Sequence, residues 1–132
     1  MTKQAKQTTK ELRDETEEIL YNDWRLPTIE ELASLIDHST SEPASLDKTI
    51  RSNLYWSSTT YKKYKSCAWV VFFYFGDANY HVKSLNSYVR CVRTGENGLE
   101  WSADAPMKMS WDKAMEYAKS LVAPVAFRKE AK

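Results

Sequence analysis

One run of residues, WVVFFYF at 69–75, constrains the fold of this chain more than any other stretch. Successive side chains of a strand point to opposite faces, so a half-buried strand alternates apolar and polar residues. Here both faces are apolar, and Gly76 follows directly. The run therefore predicts either a strand that is buried on both sides or a strand with one apolar face left open for a partner.

Composition narrows the classes of protein. A length of 132 residues suits one domain, and the formal net charge of +1 gives no strong attraction to nucleic acid or to an anionic membrane. The densest basic cluster, Lys62, Lys63 and Lys65, is short and indicates a solvated loop. No nucleic-acid partner is expected.

The sequence also carries information on where the protein is located. No apolar run is long enough to cross a bilayer, and the polar N-terminal residues 1–18 contain no signal-peptide core. We expect synthesis in the cytoplasm without membrane insertion. Display on a cell surface or a particle stays open, so the final location is left unassigned.

Local patterns predict helices at both ends of the chain. Residues 1–8 are expected to be disordered, 9–125 to form one domain, and 126–132 to be a polar tail. Thr9 can cap a first helix through residue 20, with a narrow apolar stripe of Leu12, Ile19 and Leu20. Thr28 and Glu31 have capping-box spacing for a second helix over 29–36, and Ser110 can cap a third over 111–122.

The middle of the chain predicts strands. LYWSSTTY at 54–61, CAWVVFFYF at 67–75 and SYVRCVRTG at 87–95 are rich in β-branched and aromatic residues. GDANYH predicts a turn near Ala78 and Asn79, so the second and third strands would form an antiparallel hairpin or meander. The order of helices and strands predicts an α+β fold.

Metal and thiol chemistry has few candidates. Cys67 and Cys91 are too few for a disulfide scaffold or a structural zinc site, and His38 and His81 have no metal-ligand spacing. The predicted hairpin would place the two cysteines opposite each other, which permits a cross-strand disulfide; two buried free thiols are the preferred interpretation. No catalytic residue, metal or cofactor is expected.

Several motifs, in this order, resemble the C-terminal domain family of the Legionella collagen-like protein. They are WRLPTIEEL, YWSST, AWVVFFYFG, a Lys and YVRCVR, all within residues 24–93. The resemblance implies a C-type-lectin-like fold, in which two or three helices flank a twisted antiparallel sheet. Within these motifs Arg25 and Arg90 are expected to be structural, and Trp56 and Trp69, with Trp101 outside them, to build the core.

One segment departs from the family pattern. A stretch like residues 98–121 normally stands before WRLP, whereas here it follows YVRCVR. Three arrangements stay open: a circularly permuted domain, a fragment of a tandem array, or a segment swapped with a neighbouring copy. In the last case the chain would form a homo-oligomer through its C-terminal segment. Alternatively, the first helix fills the usual helix position.

The chain also resembles the variable proteins of diversity-generating retroelements. Their mutagenesis acts on adenines, chiefly in AAY codons, so the codons that result end in a pyrimidine. Thirteen positions fit such codons and are predicted to bind ligand: Val70, Phe72, Tyr74, Phe75, Asp77, Asn79, Tyr80, His81, Val82, Ser84, Leu85, Asn86 and Ser87.

The face assignment follows from strand alternation. Trp69, Val71 and Phe73 are expected to point inward, and the alternate residues Val70, Phe72 and Tyr74 to point toward a partner. Exposed aromatic and apolar side chains are typical of binding surfaces. A central strand buried on both faces would have the same sequence without any ligand.

These interpretations predict a non-catalytic, adhesin-like or receptor-binding module with a protein or glycan ligand. Two alternatives stay open. A redox or copper enzyme of the formylglycine-generating type, also implied by the fold resemblance, would need both Cys67 and Cys91. A structural assembly module would bury the second face of residues 70–74 in a subunit contact.

Overall fold

The computed structural model describes residues 11–13 and 18–128 of the chain. It is an α+β structure, as the sequence predicts, but its strands form three small antiparallel sheets with the orders β1-β2, β3-β4-β5 and β6-β7-β8. The elements in chain order are β1 Glu11–Arg13, β2 Ile19–Tyr21, α1 Ile29–Ala33, β3 Leu54–Thr60, β4 Cys67–Phe72, β5 Asp77–Val82, β6 Arg90–Gly95, β7 Gly98–Asp104, α2 Trp111–Ser120 and β8 Phe127–Arg128.

Strand β4 is buried on both faces, which resolves the ambiguity of the apolar run. Val71 packs in one core cluster with Leu32 of α1, and Val70 packs in a second cluster with Ala114 of α2. The expectation that Val70 faces a partner is therefore wrong, because the helix that covers its face lies more than forty residues further along the chain. Phe73 is buried as expected, whereas Trp69 is only half-buried.

The turn of the hairpin lies at 73–76 and not at Ala78 and Asn79. Gly76 has a φ of 77°, a left-handed conformation that favours glycine. Beyond it β5 pairs with β4 along its whole length, from Phe72↔Asp77 to Cys67↔Val82. Five of the six residues of β5 are exposed, so cross-strand pairing rather than burial of its own side chains makes this segment a strand.

The hairpin partner of β4 was therefore predicted wrongly. Strand β6, which carries Cys91, belongs to a different sheet, and the residue opposite Cys67 is Val82. The two cysteines are free and buried, in agreement with the preferred interpretation.

The first predicted helix is also wrong where it can be compared. Residues 11–13 and 19–21 pair as antiparallel strands, and Tyr21 exchanges backbone hydrogen bonds of 3.0 and 3.1 Å with Ala123. A stripe of three apolar residues offers a helix little burial, and the Ala123 backbone supplies a partner for a strand. The disorder predicted for 1–8, the Thr9 cap and residues 14–17 lie outside the described residues.

The second helix begins as predicted and ends early. The Thr28 side chain accepts from the Glu31 amide and the Glu31 carboxylate accepts from the Thr28 amide, which completes the capping box. Helix α1 ends at Ala33 rather than Ile36, because Ile36 forms a β-bridge with Ser45.

The displaced segment 98–121 packs on its own chain. Its first part is β7, a strand that the sequence patterns did not predict, paired with β6. Its second part is α2, which begins after Ser110 as predicted and buries Ala114 and Ala118. The Ser110 side chain makes no capping hydrogen bond, however, and the helix ends at Ser120 rather than at residue 122. The predicted polar tail is partly wrong, because Phe127–Arg128 form β8 against β7. None of the helices among the described residues is long and apolar enough to cross a membrane.

Two arginines of β6 connect distant parts of the chain. Arg90 is 2% exposed and forms ion pairs with Asp47 and with Asp104, the latter at 2.7 Å. Arg93 pairs with Asp23 at 2.7 Å and with Glu100. The structural role expected of Arg90 is confirmed, since this buried cation joins the loop before β3 to β7.

Replacing Arg90 with Ala should destabilise the fold strongly. The substitution leaves the carboxylates of Asp47 and Asp104 without their shared cation. Breaking a buried ion pair in this way typically lowers the free energy of unfolding by about 3–5 kcal/mol. Arg51→Ala is a matched control, since Arg51 also contacts Asp104, at 3.4 Å, but its side chain is 62% exposed. Loss of the Arg51 side chain should lower the free energy of unfolding by at most about 1 kcal/mol. Urea unfolding measures both, and similar losses would contradict the assigned role of Arg90.

Candidate ligand-binding surface

The thirteen predicted ligand-binding positions all lie on the β4–β5 hairpin and the loop after it. Val70 and Ser87 are buried, and Phe72 and His81 are half-buried. The other nine are exposed: Tyr74, Phe75, Asp77, Asn79, Tyr80, Val82, Ser84, Leu85 and Asn86. The structure thus leaves nine of the thirteen predicted positions exposed and buries Val70 and Ser87. Along β5 the exposed positions alternate between the two faces of the strand, with Asp77 and Asn79 on one and Tyr80 and Val82 on the other.

Exposed apolar side chains are concentrated on this hairpin. Of the nine large apolar side chains that are exposed among the described residues, five lie between residues 74 and 85. We refer to these five as the hairpin patch: Tyr74, Phe75, Tyr80, Val82 and Leu85. Tyr74 and Phe75 lie at the turn, Tyr80 and Val82 on β5, and Leu85 in the loop after it.

The tip of the hairpin is held in place from beneath. The Phe73 carbonyl accepts from the Ala44 amide at 2.7 Å, and the Gly76 carbonyl accepts from His38 Nε2 at 2.8 Å. A side chain at position 76 would come within 3.0 Å of the Ala44 Cβ. The neighbouring rings of Tyr74 and Phe75, with centroids 4.8 Å apart, therefore project from an anchored turn.

A second group of rings lies on the side of the hairpin. We call Tyr61, Tyr64, Trp69 and Tyr80 the aromatic cluster. Tyr61 stacks on Tyr80 with ring centroids 4.3 Å apart, and the edge of Trp69 meets Tyr61 at 5.1 Å. Sequence analysis placed only Tyr80 in the site; the spacing of the two tyrosines in YKKY, directly before β4, was the signal available for Tyr61 and Tyr64.

A shallow groove borders the aromatic cluster. It has a volume of about 370 Å³ and runs between α1 and the hairpin. Its lining is mostly apolar: Ile29, Glu30, Ala33, Thr59, Trp69 and Ala78. The surface therefore combines ring faces with an adjoining depression, a shape suited to an extended ligand.

Cys91 is poorly placed for thiolate chemistry. Burial raises the pKa of the Cys91 thiol to about 12, so this thiol stays protonated at neutral pH. Among the described ranges, no group of three or more His, Cys, Asp or Glu side chains is placed to hold a metal ion. Trp56 and Trp101 are fully buried and belong to the core, as expected.

The model of the Lcl C-terminal domain family matches residues 1–93. The chain belongs to this family. The match ends at Arg93, the last residue of YVRCVR, so β7 and α2 lie beyond it. No curated protein and no solved structure matched the chain.

His81 should make stability depend on pH. Desolvation beside Trp56, whose ring centroid is 5.4 Å away, lowers the His81 pKa below its ordinary 6.5. The unfolded chain then binds more protons than the fold as the pH falls through about 6.5, so stability present above that value is progressively lost. Urea midpoints between about pH 7.5 and 5.5 should fall less for His81→Gln than for the wild type. Parallel curves would contradict this prediction.

Proposed function

We propose that this Lcl C-terminal domain is a non-catalytic ligand-binding module that presents the β4–β5 hairpin and the following loop to a protein or glycan. The hairpin patch carries the proposal. Its side chains expose apolar area to water, and none of residues 74–87 belongs to either core cluster. The fold gains little from these side chains, so a binding role explains them better than a structural one.

We further propose that the scaffold is C-type-lectin-like. Family membership supports this assignment, as does the contact between two of the family motifs: Arg25 of WRLP and Val92 of YVRCVR exchange backbone hydrogen bonds of 2.9 and 2.8 Å. The contacts of segment 98–121 with its own chain are those that a circularly permuted domain would make. In that arrangement α2 completes the core from the opposite end of the sequence.

We further propose that a retroelement diversified this surface. The nine exposed positions are compatible with codons that end in a pyrimidine, and the intervening residues Val71, Phe73 and Gly76 are buried. A scaffold with fixed buried residues and replaceable exposed ones is what targeted mutagenesis requires. The buried Val70 and Ser87 are the positions least compatible with this pattern.

A redox or copper enzyme is the less favoured function. Such chemistry would need both thiols at one site, and Cys67 and Cys91 lie on strands of different sheets. Neither residue belongs to the exposed hairpin surface.

Binding should depend on the hairpin patch and not on exposed apolar area in general. The variant Phe75→Ser/Leu85→Ser removes two side chains that are 64% and 51% exposed. The control Met107→Ser/Val122→Ser removes two that are 65% and 48% exposed elsewhere on the molecule. Arrays of glycans and of purified cell-surface proteins would identify what the wild type binds.

For that ligand, we expect the hairpin variant to bind at least about tenfold more weakly, because buried aromatic and aliphatic anchors typically contribute more than 1 kcal/mol each. The control should stay within about twofold. Equal losses for the two variants would place the binding site elsewhere.

Sequencing the locus tests the retroelement origin separately. We expect a near-identical template copy of codons 68–93 that differs from the gene only where the template has adenine, with a reverse transcriptase gene nearby. A locus without both would contradict this origin while leaving a lectin-like module of fixed specificity.

A further inference from the structure

A cavity of about 420 Å³ lies between the WRLP segment, strand β3 and helix α2. Its floor is apolar, because Trp24, Leu26 and Ala118 line it and each of them is at most 4% exposed. Met115 of α2, which is half-buried, adds an apolar wall with a flexible side chain. Among the described residues that line the cavity, none belongs to the hairpin patch. The cavity is therefore distinct from the surface proposed above.

The elements around the cavity are fixed to one another. Trp24 Nε1 donates to the Ala123 carbonyl at 3.1 Å, which fixes the orientation of the indole ring. The Ser58 amide donates to the Pro27 carbonyl at 2.7 Å and joins β3 to the WRLP segment. The Trp111 indole donates to a backbone carbonyl of β3 at 2.9 Å and joins α2 to that strand. A cavity with such walls is largely pre-formed, so a ligand would lose little affinity to reorganisation of the protein.

The charged side chains that line the cavity are both cationic. They are Arg25 and Lys119, and no Asp or Glu of the described ranges lines it. Arg25 already has a counter-charge, because its guanidinium donates to both carboxylate oxygens of Glu31, at 2.7 and 2.8 Å. Lys119 is exposed and forms no ion pair with a described residue. The charge without a counter-charge beside the apolar floor is therefore positive.

We infer that this cavity binds a small carboxylate with an apolar tail, such as a medium-chain fatty acid. The tail would cover Trp24, Leu26 and Ala118, and the carboxylate would lie at the mouth beside the Lys119 ammonium. Burial of the tail supplies most of the attraction, and charge decides which head group is accepted. The Ser58 hydroxyl also lines the cavity and can donate to a carboxylate oxygen.

Other classes of small ligand match the lining less well. A cationic ligand would bring a second positive charge to Lys119, with no carboxylate in the described lining to offset it. A fully polar ligand would leave the apolar floor without a partner and lose the contribution of burial. A neutral apolar ligand would match the floor but gain nothing from Lys119. A carboxylate with an apolar tail uses both features.

A ligand in this cavity would contact two parts of the chain that differ in their relation to the family. The WRLP segment lies inside the family match, and α2 lies beyond it. Only the folded chain holds the two together, so bound ligand would stabilise the fold by mass action. The inference does not rest on the proposed function, because the hairpin patch takes no part in the cavity and either could fail alone.

Titration with octanoate, octanol and octylammonium tests the inference, because the three probes share a tail and differ in charge. The indole N–H groups of the five tryptophans give separate signals in a proton–nitrogen correlation spectrum. We expect octanoate to shift the Trp24 signal saturably and to leave the Trp69 signal unchanged. Octanoate should bind about two- to fivefold more tightly than octanol, as expected of one exposed ion pair, and octylammonium should bind most weakly.

Two lysine variants of α2 test the role of charge. Lys119→Met removes the cation and keeps a side chain of similar length, so octanoate should bind about two- to fivefold more weakly while octanol is unaffected. Lys113→Met is the matched control, since Lys113 is exposed on the same helix and does not line the cavity. It should change neither affinity, and circular dichroism checks that both variants fold.

Three results would overturn the inference. The first is octanoate that leaves the Trp24 signal unshifted, and the second is octylammonium that binds as tightly as octanoate. The third is an octanoate affinity that Lys119→Met leaves unchanged or that Lys113→Met lowers equally.

Discussion

The buried guanidinium of Arg90 is the interaction on which the rest of the structure depends. It lies between Asp47 and Asp104, almost without solvent, and Tyr55 donates to the same Asp104 at 2.8 Å. A charge in such a place requires its partners, so the loop, β3 and β7 are fixed relative to β6. Arg93, three residues along, adds a second set of ion pairs, and the two arginines together join parts of the chain that are distant in sequence.

This arrangement separates the residues that stabilise the fold from the surface that we propose binds a ligand. Both core clusters and both arginine networks lie outside residues 74–87. The hairpin is supported through β4, whose two faces are covered by α1 and α2, and through the bonds that hold its tip. Backbone hydrogen bonds of Lys83 with Trp111 and of Ser87 with Met109 hold its other end. Exposed side chains such as Phe75 and Leu85 lie outside both core clusters, and we expect substitutions there to have little effect on stability. Tolerance of substitution is the property that the proposed recognition surface needs, and we expect it at the hairpin patch.

The sequence predicted those features of the structure that depend on contacts between residues close together in the chain. The capping box of Thr28 and Glu31 and the apolar face of α2 were predictable, because their partners lie within a few residues. The strand character of DANYHV was not, since its Asp and Asn favour a turn and only pairing with β4 overrides them. The burial of Val70 depends on α2, and the aromatic cluster depends on contacts between Tyr61 and Tyr80, so neither could be read from strand alternation alone.

The most direct test of this separation is a saturation library at the thirteen hairpin positions, sorted for protease-resistant fold and then sequenced. We predict that the nine exposed positions accept most substitutions, while Val70 accepts only apolar residues of similar size and Ser87 only small ones. Selection that is as strict at Tyr74, Phe75 or Leu85 as at Val70 would contradict the account, because those side chains would then serve the fold rather than a ligand.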